Sequence, residues 1–347
     1  MDDTQADALL RGLVERYSPS TEEQPAVAYL VEWMRAAGFQ AEIDSAGNAV
    51  GALGSGDGLL LLLGHIDTVP GFIEVRQEGS LLYGRGTVDA KGPLAAFAAA
   101  AAHAGRAAGK RVVVVGAVEE EAATSKGARH LLEHLSPDGV IVGEPSGWDR
   151  ITVGYKGRLL VDYALSCEIG HTAGPDTGAC EEAVLFWQSV VSHAADYNAG
   201  RERMFDQLAP SLRSICSESD GFSERVGMTL GFRLPPDLDI EALQSTLESV
   251  AHGAELAFRG REIAYRAPKN SPLARAFIKA IRAEGSDPAF KVKSGTSDMN
   301  VVGPVWQCPI LAYGPGDSAL DHTPREHIDL HEYHRAIAVL TRVIADL

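Results

Sequence analysis

His65 and Asp67 stand just beyond a run of five leucines, Leu59 to Leu63, in the stretch LLLLLGHIDTVPG. With one residue between them, their side chains point to the same side of an extended chain, so the carboxylate can orient the imidazole. The pair is either a metal ligand with its orienting partner or a histidine satisfied by a neighbouring acid. Other groups of the same kind follow: Asp89 in GRGTVDAKGP, Glu119-Glu120-Glu121 after RVVVVGAV, Glu144 in VGEPS, His171 in GHTAGP and His322 in DHTPRE. Asp89 taken alone reads equally as a helix N-cap. The three adjacent glutamates repel one another, so they are either a solvated acidic loop or call for positive charge nearby. The second reading gains from repetition, because another apolar run, Gly139 to Gly143, also ends in a carboxylate, Glu144.

A histidine, an aspartate, two glutamates and a second histidine make an N/O ligand set suited to zinc or a similar divalent metal. One tetrahedral zinc could not use so many carboxylates. Two metals about 3.5 to 4 Å apart, bridged by one carboxylate and a water, would consume the set. A leftover carboxylate could then serve as general base. Competing chemistries fail at the level of motif. No serine lies in G-x-S-x-G. His331-Glu332-Tyr333-His334 is one residue short of H-E-x-x-H, and His130 to His134 lacks the glutamate, so both read as surface helix residues.

The leucine run, bounded by Gly58 and Gly64, predicts a strand buried on both faces, as in the parallel sheet of an α/β domain. Arg111 to Val118 and Gly139 to Gly143 repeat the pattern, and ligands bind at the exits of such strands. Ser20 and Glu23 predict a capping box for a helix through Val27, Leu30, Val31 and Met34, which is the first helix expected in the chain. Short strands are expected over Phe39 to Ile43 and Asn48 to Leu53, a hairpin over Phe72 to Tyr83, and an alanine-rich helix from Leu94. The glycines at 54, 56 and 58 precede a strand, so they make no dinucleotide fingerprint. From Ile151 to about Pro268 the pattern becomes strand, helix, strands, helix, strand, a split β-α-β insertion. Residues 1–150 and 269–347 are thus expected to form one discontinuous domain and residues 151–268 another. Ser271-Pro272 starts a helix to Glu284, and a final helix follows the DHTPRE loop.

At 347 residues the chain can bury a large core. A net charge of −16 argues against a nucleic-acid partner, which needs a basic surface. Cys167, Cys180, Cys216 and Cys308 show no C-x-x-C spacing, which argues against a thiolate zinc site and a disulfide framework. The acidic start MDDTQADALL has no secretion-signal features, and no apolar run reaches the roughly 20 residues a membrane span needs, so a cytoplasmic protein is expected.

Taken in order, GHIDTVPG, GRGTVDAKGP, the EEE run with its SKGAR, VGEPS, GHTAGP, GTSD and DHTPRE resemble the dinuclear zinc aminoacylases and carboxypeptidases. That family includes acetylornithine deacetylase, succinyl-diaminopimelate desuccinylase and glutamate carboxypeptidase, and the resemblance covers nearly the whole chain. It implies a mixed, largely parallel α/β sheet flanked by helices, with an inserted ferredoxin-like lid or dimerisation domain. It also implies that His65, Asp89 and Glu144 hold one metal while Asp89, Glu121 and His322 hold the other, with zinc expected and cobalt an alternative. Glu120 matches the catalytic base, Asp67 the residue that orients His65, and His171 a lid histidine that stabilises the oxyanion, often across a homodimer. Arg233 in FRLPP looks like the lid arginine that grips a substrate carboxylate, with Ser294, Gly295 and Thr296 of GTSD as further substrate contacts. Glu119 stands where relatives commonly have aspartate, which leaves the register of the glutamates open by one.

Within the family, the short length, VEEE with SKGARHL, and GEPSGWDRITVGYKGRL look most like hydrolases that serve carrier-protein-dependent lysine and arginine biosynthesis. Such enzymes release lysine or ornithine from the terminal glutamate of a small acidic amino-group carrier protein. Small-molecule N-acyl amino acid deacylases and dipeptidases or carboxypeptidases are the next alternative, and a non-catalytic amino-acid- or peptide-binding protein the remote one. An acidic partner for an acidic chain calls for a local basic rim, for which Arg150, Lys156, Arg158, Lys291 and Lys293 are the candidates by position.

Overall fold

The computed structural model describes residues 2–104, 109–171 and 177–347, which cluster into two compact units. The first comprises residues 1–154, 266–292 and 297–347, the second residues 155–265 and 293–296. Residues 293–296 thus cluster with the inserted segment, although the sequence reading put them in the flanking domain.

The first unit opens with a helix that the sequence reading did not place, α1 (Asp3–Val14), capped by reciprocal Asp2 and Gln5 hydrogen bonds. Next come α2 (Gln24–Ala36), β1 (Gln40–Ile43), β2 (Ala49–Leu53) and the leucine strand β3 (Leu59–His65). The hairpin β4 (Arg76–Glu78) and β5 (Leu81–Tyr83) is followed by α3 (Lys91–Ala104), β6 (Arg111–Ala117), α4 (Lys126–His134), β7 (Gly139–Gly143) and β8 (Arg150–Tyr155). The expected capping box of α2 is not formed: Glu23 is the N-cap and its side chain makes no cap bond. Ser20 and Glu23 have been drawn instead to buried groups of the site, described below.

In the second unit, β9 (Gly157–Glu168), α5 (Ala179–Asn198), β10 (Ala209–Ser219), β11 (Ser223–Leu234), α6 (Ile240–Ser249) and β12 (Glu255–Glu262) follow one another. Their sheet runs β10-β11-β9-β12 with every neighbour antiparallel, a split β-α-β order. Leu159, Val161, Tyr163, Phe186, Leu230, Phe232 and Leu243 give this unit a core of its own. The edge strand β10, whose side chains are mostly exposed, carried too little apolar alternation to be placed from sequence.

The chain returns to the first unit through β13 (Tyr265–Arg266), α7 (Pro272–Ala283), β14 (Ala289–Lys293), α8 (Asp298–Trp306), β15 (Ile310–Tyr313), β16 (His327–Asp329) and α9 (Leu330–Asp346). Its main sheet runs β1-β2-β6-β3-β7-β15-β8-β13, with β14 also on β8. The four central strands β6, β3, β7 and β15 are parallel, so their C-terminal ends share one edge. The small sheet β16-β5-β4 joins the hairpin to the chain just before α9.

One residue before that edge, Gly64 lies in register with Gly116 on one side and Gly143 on the other. The row is sterically required, because α3 packs directly on these strands. A Cβ at Gly64 would meet Leu94 at 3.2 Å, and one at Gly143 would meet the Phe97 ring at 2.9 Å. Alanines fill most of α3 and all but Ala102 are buried, which lets it lie against the sheet on one side and against α1 and α9 on others. Gly143→Ala should therefore overpack the layer and lower unfolding stability by about 1–3 kcal/mol in urea titrations. Gly139→Ala, whose Cβ would meet only contacts at 3.7 Å, should have a much smaller effect.

Candidate metal centre

His65 is the last residue of β3, Glu119 to Glu121 follow β6, and Glu144 follows β7. Asp89 sits two residues before α3, and His322 lies in the loop between β15 and β16. The shared edge of a parallel sheet therefore gathers side chains that lie up to 257 positions apart, from 65 to 322.

Asp89 occupies the middle. Its Oδ1 lies 3.3 Å from His65 Nε2 and its Oδ2 3.0 Å from His322 Nε2. The second imidazole nitrogen also lies 2.9 Å from Glu121 Oε1. Ligand atoms of His65, Asp89 and Glu121 all fall within 4.8 Å of one another, and among the described residues they are the trio that could hold a metal. Donors sharing one tetrahedral ion at zinc-like bond lengths stand roughly 3.4 Å apart, so the spacing fits a divalent cation. The chemistry fits too, since every donor is an imidazole nitrogen or a carboxylate oxygen. The two oxygens of Asp89 thus face different histidines.

Asp67 is wholly buried and fully used. Its carboxylate accepts from Ser20 Oγ at 2.7 Å, from Glu120 N at 3.1 Å and from Glu121 N at 3.0 Å. His65 Nδ1 lies 3.0 Å from the Asp67 carbonyl and 3.3 Å from its carboxylate. Asp67 thus lies beside the imidazole, and its carboxylate also fixes the backbone of the glutamate loop. Burial opposes ionisation of Asp67, but the bonds from His65, Ser20 and Glu121 outweigh it and lower its pKa.

The three glutamates part company. Glu119, in the left-handed region at φ 58°, turns its carboxylate to Thr124 at 2.7 Å and Lys126 at 3.5 Å, while Glu23 Oε1 accepts its amide at 3.2 Å. Glu121 faces Asp89 and His322. Burial, opposed by His65 and reinforced by the charges of Glu144, Asp298 and Glu121, raises the Glu120 pKa well above the usual carboxylate range. Glu121 is raised by burial and by Asp89, with His322 opposing. Glu144 is buried and within electrostatic reach of Glu120, outside the clustered trio.

Several contributors escaped the sequence reading. Glu326, which lies in a quoted motif, accepts from the amides of Gly86, Val88 and Asp89 and pairs with Arg85 at 2.8 Å. Buried Lys91 donates to the carbonyls of Leu13 at 3.1 Å and Arg16 at 2.7 Å, and burial brings its pKa down to about 7. Ser20 carried no signal at all beyond a helix cap that is not made. The H-E-Y-H segment was read as surface, yet Glu332 Oε1 accepts from Trp148 N at 3.1 Å and Gly316 N at 3.0 Å and so fixes two loops.

In the second unit, Arg233 Nη1 donates to Thr296 Oγ1 at 2.8 Å, which brings two of the expected substrate contacts together. A Cβ at Gly295 would meet nothing within 4 Å, so the turn beside Ser294 is open. His171 is exposed, and residues 172–175, which complete GHTAGP, lie outside the described residues. The basic rim is corrected in part. Lys156 is buried, donating to the carbonyls of Met204 and Gln207, and Arg158 is spent on Glu262 at 3.1 Å. Burial, with Arg233 nearby, lowers Lys156 to about 8. Arg150 pairs with Asp149 at 2.9 Å and Lys293 lies over the Tyr155 ring at 5.9 Å.

These charges give a metal titration a definite sign. Hydrogen bonds to Asp89 and Glu121 raise His322 to about 10, and bonds to Asp67 and Asp89 raise His65 well above its ordinary value against the effect of burial. With His322 raised to about 10, a metal binding chelator-dialysed protein at pH 7 should displace a proton from it, so binding should release protons and tighten as pH rises. Calorimetric zinc titrations at pH 7 in two buffers of different ionisation enthalpy measure this. Zero proton release would contradict the arrangement.

Comparison with known proteins agrees with the geometry. The model of peptidase family M20/M25/M40 matches residues 61–346. A [LysW]-lysine hydrolase from Deinococcus radiodurans is 48% identical over 350 residues, covering 99% of this chain and 97% of its own. An M20 family metallo-carboxypeptidase from Sulfolobus solfataricus shares the fold at a TM-score of 0.81 and 19% identity, over 99% of both chains. A dinuclear metal binding peptidase from the M20 family, of Bacillus subtilis, shares it at 0.70 and 14%, over 99% of this chain and 98% of that one. The expected α/β architecture is thus the family's, and no helix among the described residues is long and apolar enough to cross a membrane. A full-length relative at high identity, a family model over most of the chain and a fitting donor set agree: the chain belongs to peptidase family M20/M25/M40 and is a metal-dependent hydrolase acting on an amide bond.

Proposed function

We propose that this enzyme cleaves the amide between the α-amino group of lysine and the terminal glutamate side chain of a small acidic amino-group carrier protein, and that it serves amino-acid biosynthesis. The hydrolytic part rests on one observation above all, the Asp89 carboxylate facing His65 and His322 with its two oxygens. The substrate part rests on 48% identity, over nearly the full length of both chains, to a [LysW]-lysine hydrolase. Ornithine is the neighbouring possibility, since it differs from lysine by a single methylene.

His65, Asp89 and Glu144 would hold one divalent ion, and Asp89, Glu121 and His322 the other, with zinc preferred and cobalt able to replace it. When bound, such a pair supplies Lewis-acid polarisation of the amide carbonyl and activation of water. The protein groups supply the rest. Asp67 keeps His65 in one orientation, and through the amides of Glu120 and Glu121 it keeps the glutamate loop against it. Glu120 takes the proton of the attacking water and passes it to the leaving α-amine. The diversion of Glu119 to Thr124 and Lys126 supports this register of the three glutamates. Arg233 and Thr296, joined at 2.8 Å, would grip the α-carboxylate of the released amino acid, with Ser294 and Gly295 beside them. His171 would stabilise the oxyanion, in a homodimer formed through residues 151–268 that act as lid to a catalytic domain of residues 1–150 and 269–347. Four free cysteines suit a reducing cytoplasm.

Glu120→Gln should keep its metal and lose turnover by about 10²–10⁴-fold. Undiminished turnover would move the base to another glutamate. Glu121→Gln and His322→Ala should each lower metal content by elemental analysis, and full occupancy in both would overturn the ligand assignment. Chelator-dialysed enzyme restored with zinc or cobalt should cleave carrier-linked lysine far faster than acetylornithine or succinyl-diaminopimelate. A preference for either small substrate would make it a deacylase, and no turnover on any of them a binding protein.

A further inference from the structure

The loop Gly84–Ala90 and the loop Asp321–Glu326 each carry a residue of the proposed metal centre, Asp89 and His322, and neither loop belongs to a strand or helix. Each must be held by something other than a hydrogen-bonded ladder. Glu326 Oε1 accepts three amides of the first loop, Gly86 at 3.0 Å, Val88 at 2.9 Å and Asp89 at 3.1 Å. Backbone amides converging this way form a nest that favours an anion. Here the anion is a side chain of the second loop. The other oxygen of Glu326 accepts from Arg85 Nη1 at 2.8 Å, and the same Nη1 donates to the carbonyl of Thr323 at 3.2 Å, next to His322. Arg85 Nε donates to Gly71 O at 2.9 Å, which ties in the segment after β3. Arg85 is 7% and Glu326 1% exposed, so water does not compete for these bonds.

We propose that Glu326 and Arg85 are positioning residues that lock the Asp89 and His322 loops together and so set the spacing between these two ligands. The inference rests on the metal-centre reading given above. Two observations separate it from a general role in stability. The three amides bound by Glu326 lie in the loop that ends at Asp89, one of them the amide of Asp89 itself. His322 holds a left-handed backbone at φ 60°, which for a non-glycine residue requires support from its surroundings, and the next carbonyl is the one Arg85 engages. Loosening the clamp would let Asp89 and His322 relax apart, while Glu121, anchored through Asp67, stays in place.

The test is a zinc titration of chelator-dialysed wild type, Glu326→Gln and Arg85→Lys, with thermal unfolding of each dialysed protein alongside. Glutamine keeps the size and one acceptor oxygen but turns an amide group toward Arg85. Lysine keeps the charge but cannot span Gly71, Thr323 and Glu326 together. Each folded variant should bind zinc about 10–100-fold more weakly than wild type at one of the sites, the range seen when outer partners of metal ligands are lost. A purely structural role would instead lower the unfolding temperature and leave the zinc affinity of the folded protein unchanged, and that result in either variant that folds would overturn the proposal. Wild type that binds no zinc would sink the metal-centre reading itself, a separate outcome.

Discussion

Asp67, Asp89, Glu120, Glu121, Glu144 and Asp298 crowd one edge of a parallel sheet, three of them buried and the others only partly exposed. Like charges so close, in surroundings of low dielectric, repel strongly enough to dominate the local design. The structure answers some of them internally. Asp67 receives a hydroxyl and two amides, Asp89 receives two imidazoles, and Glu326 behind them receives three amides and a guanidinium. Glu120 and Glu121 are left with raised pKa values, which marks the part of the site whose charge the polypeptide does not balance. A divalent cation held by the histidine and carboxylate donors would supply what is missing.

Holding that much charge in place needs rigid supports, and these begin with apolar packing. The glycine row at 64, 116 and 143 lets α3 lie on the sheet, and the first turn of α3 carries the Asp89 loop with it. Lys91, at the start of the same helix, is tied to carbonyls at and just after the end of α1, so the loop is gripped from the helix side as well as by Glu326. Ser20 approaches from the other direction, on a segment that meets the stretch after β3 through the Pro19 and Thr68 bridge. The lone histidine and carboxylate at the end of the leucine strand are therefore one corner of a frame assembled from at least four separate stretches of chain.

Much of the architecture was legible because buried parallel strands are continuous apolar runs, and the exits of three such runs carry His65, the glutamates and Glu144. The same logic failed where packing left no periodic trace. Helix α1 begins in a polar, acidic stretch, and its buried face of Leu9, Leu10 and Leu13 is too short to announce a helix. Strand β10 shows mostly exposed side chains. The capping box expected at Ser20 was a sound local inference overridden by a stronger claim, since a buried carboxylate binds a hydroxyl more tightly than an exposed helix end does. Lys156 and Arg158, marked from sequence as a basic rim, turn inward because carbonyls and Glu262 await them.

By itself, the order of residues determined which donors exist, which strands deliver them and that oxygen and nitrogen ligands would carry the chemistry. These are local properties, set by side-chain type and by the period of apolar residues along the chain. Only the tertiary structure decided which carboxylate lies between the two histidines, which of three adjacent glutamates turns away, and that Glu326 and Arg85 join two distant loops. Those choices depend on distances between residues far apart in sequence, and such distances come into being only when the apolar layers close and the remaining polar groups must find partners without water.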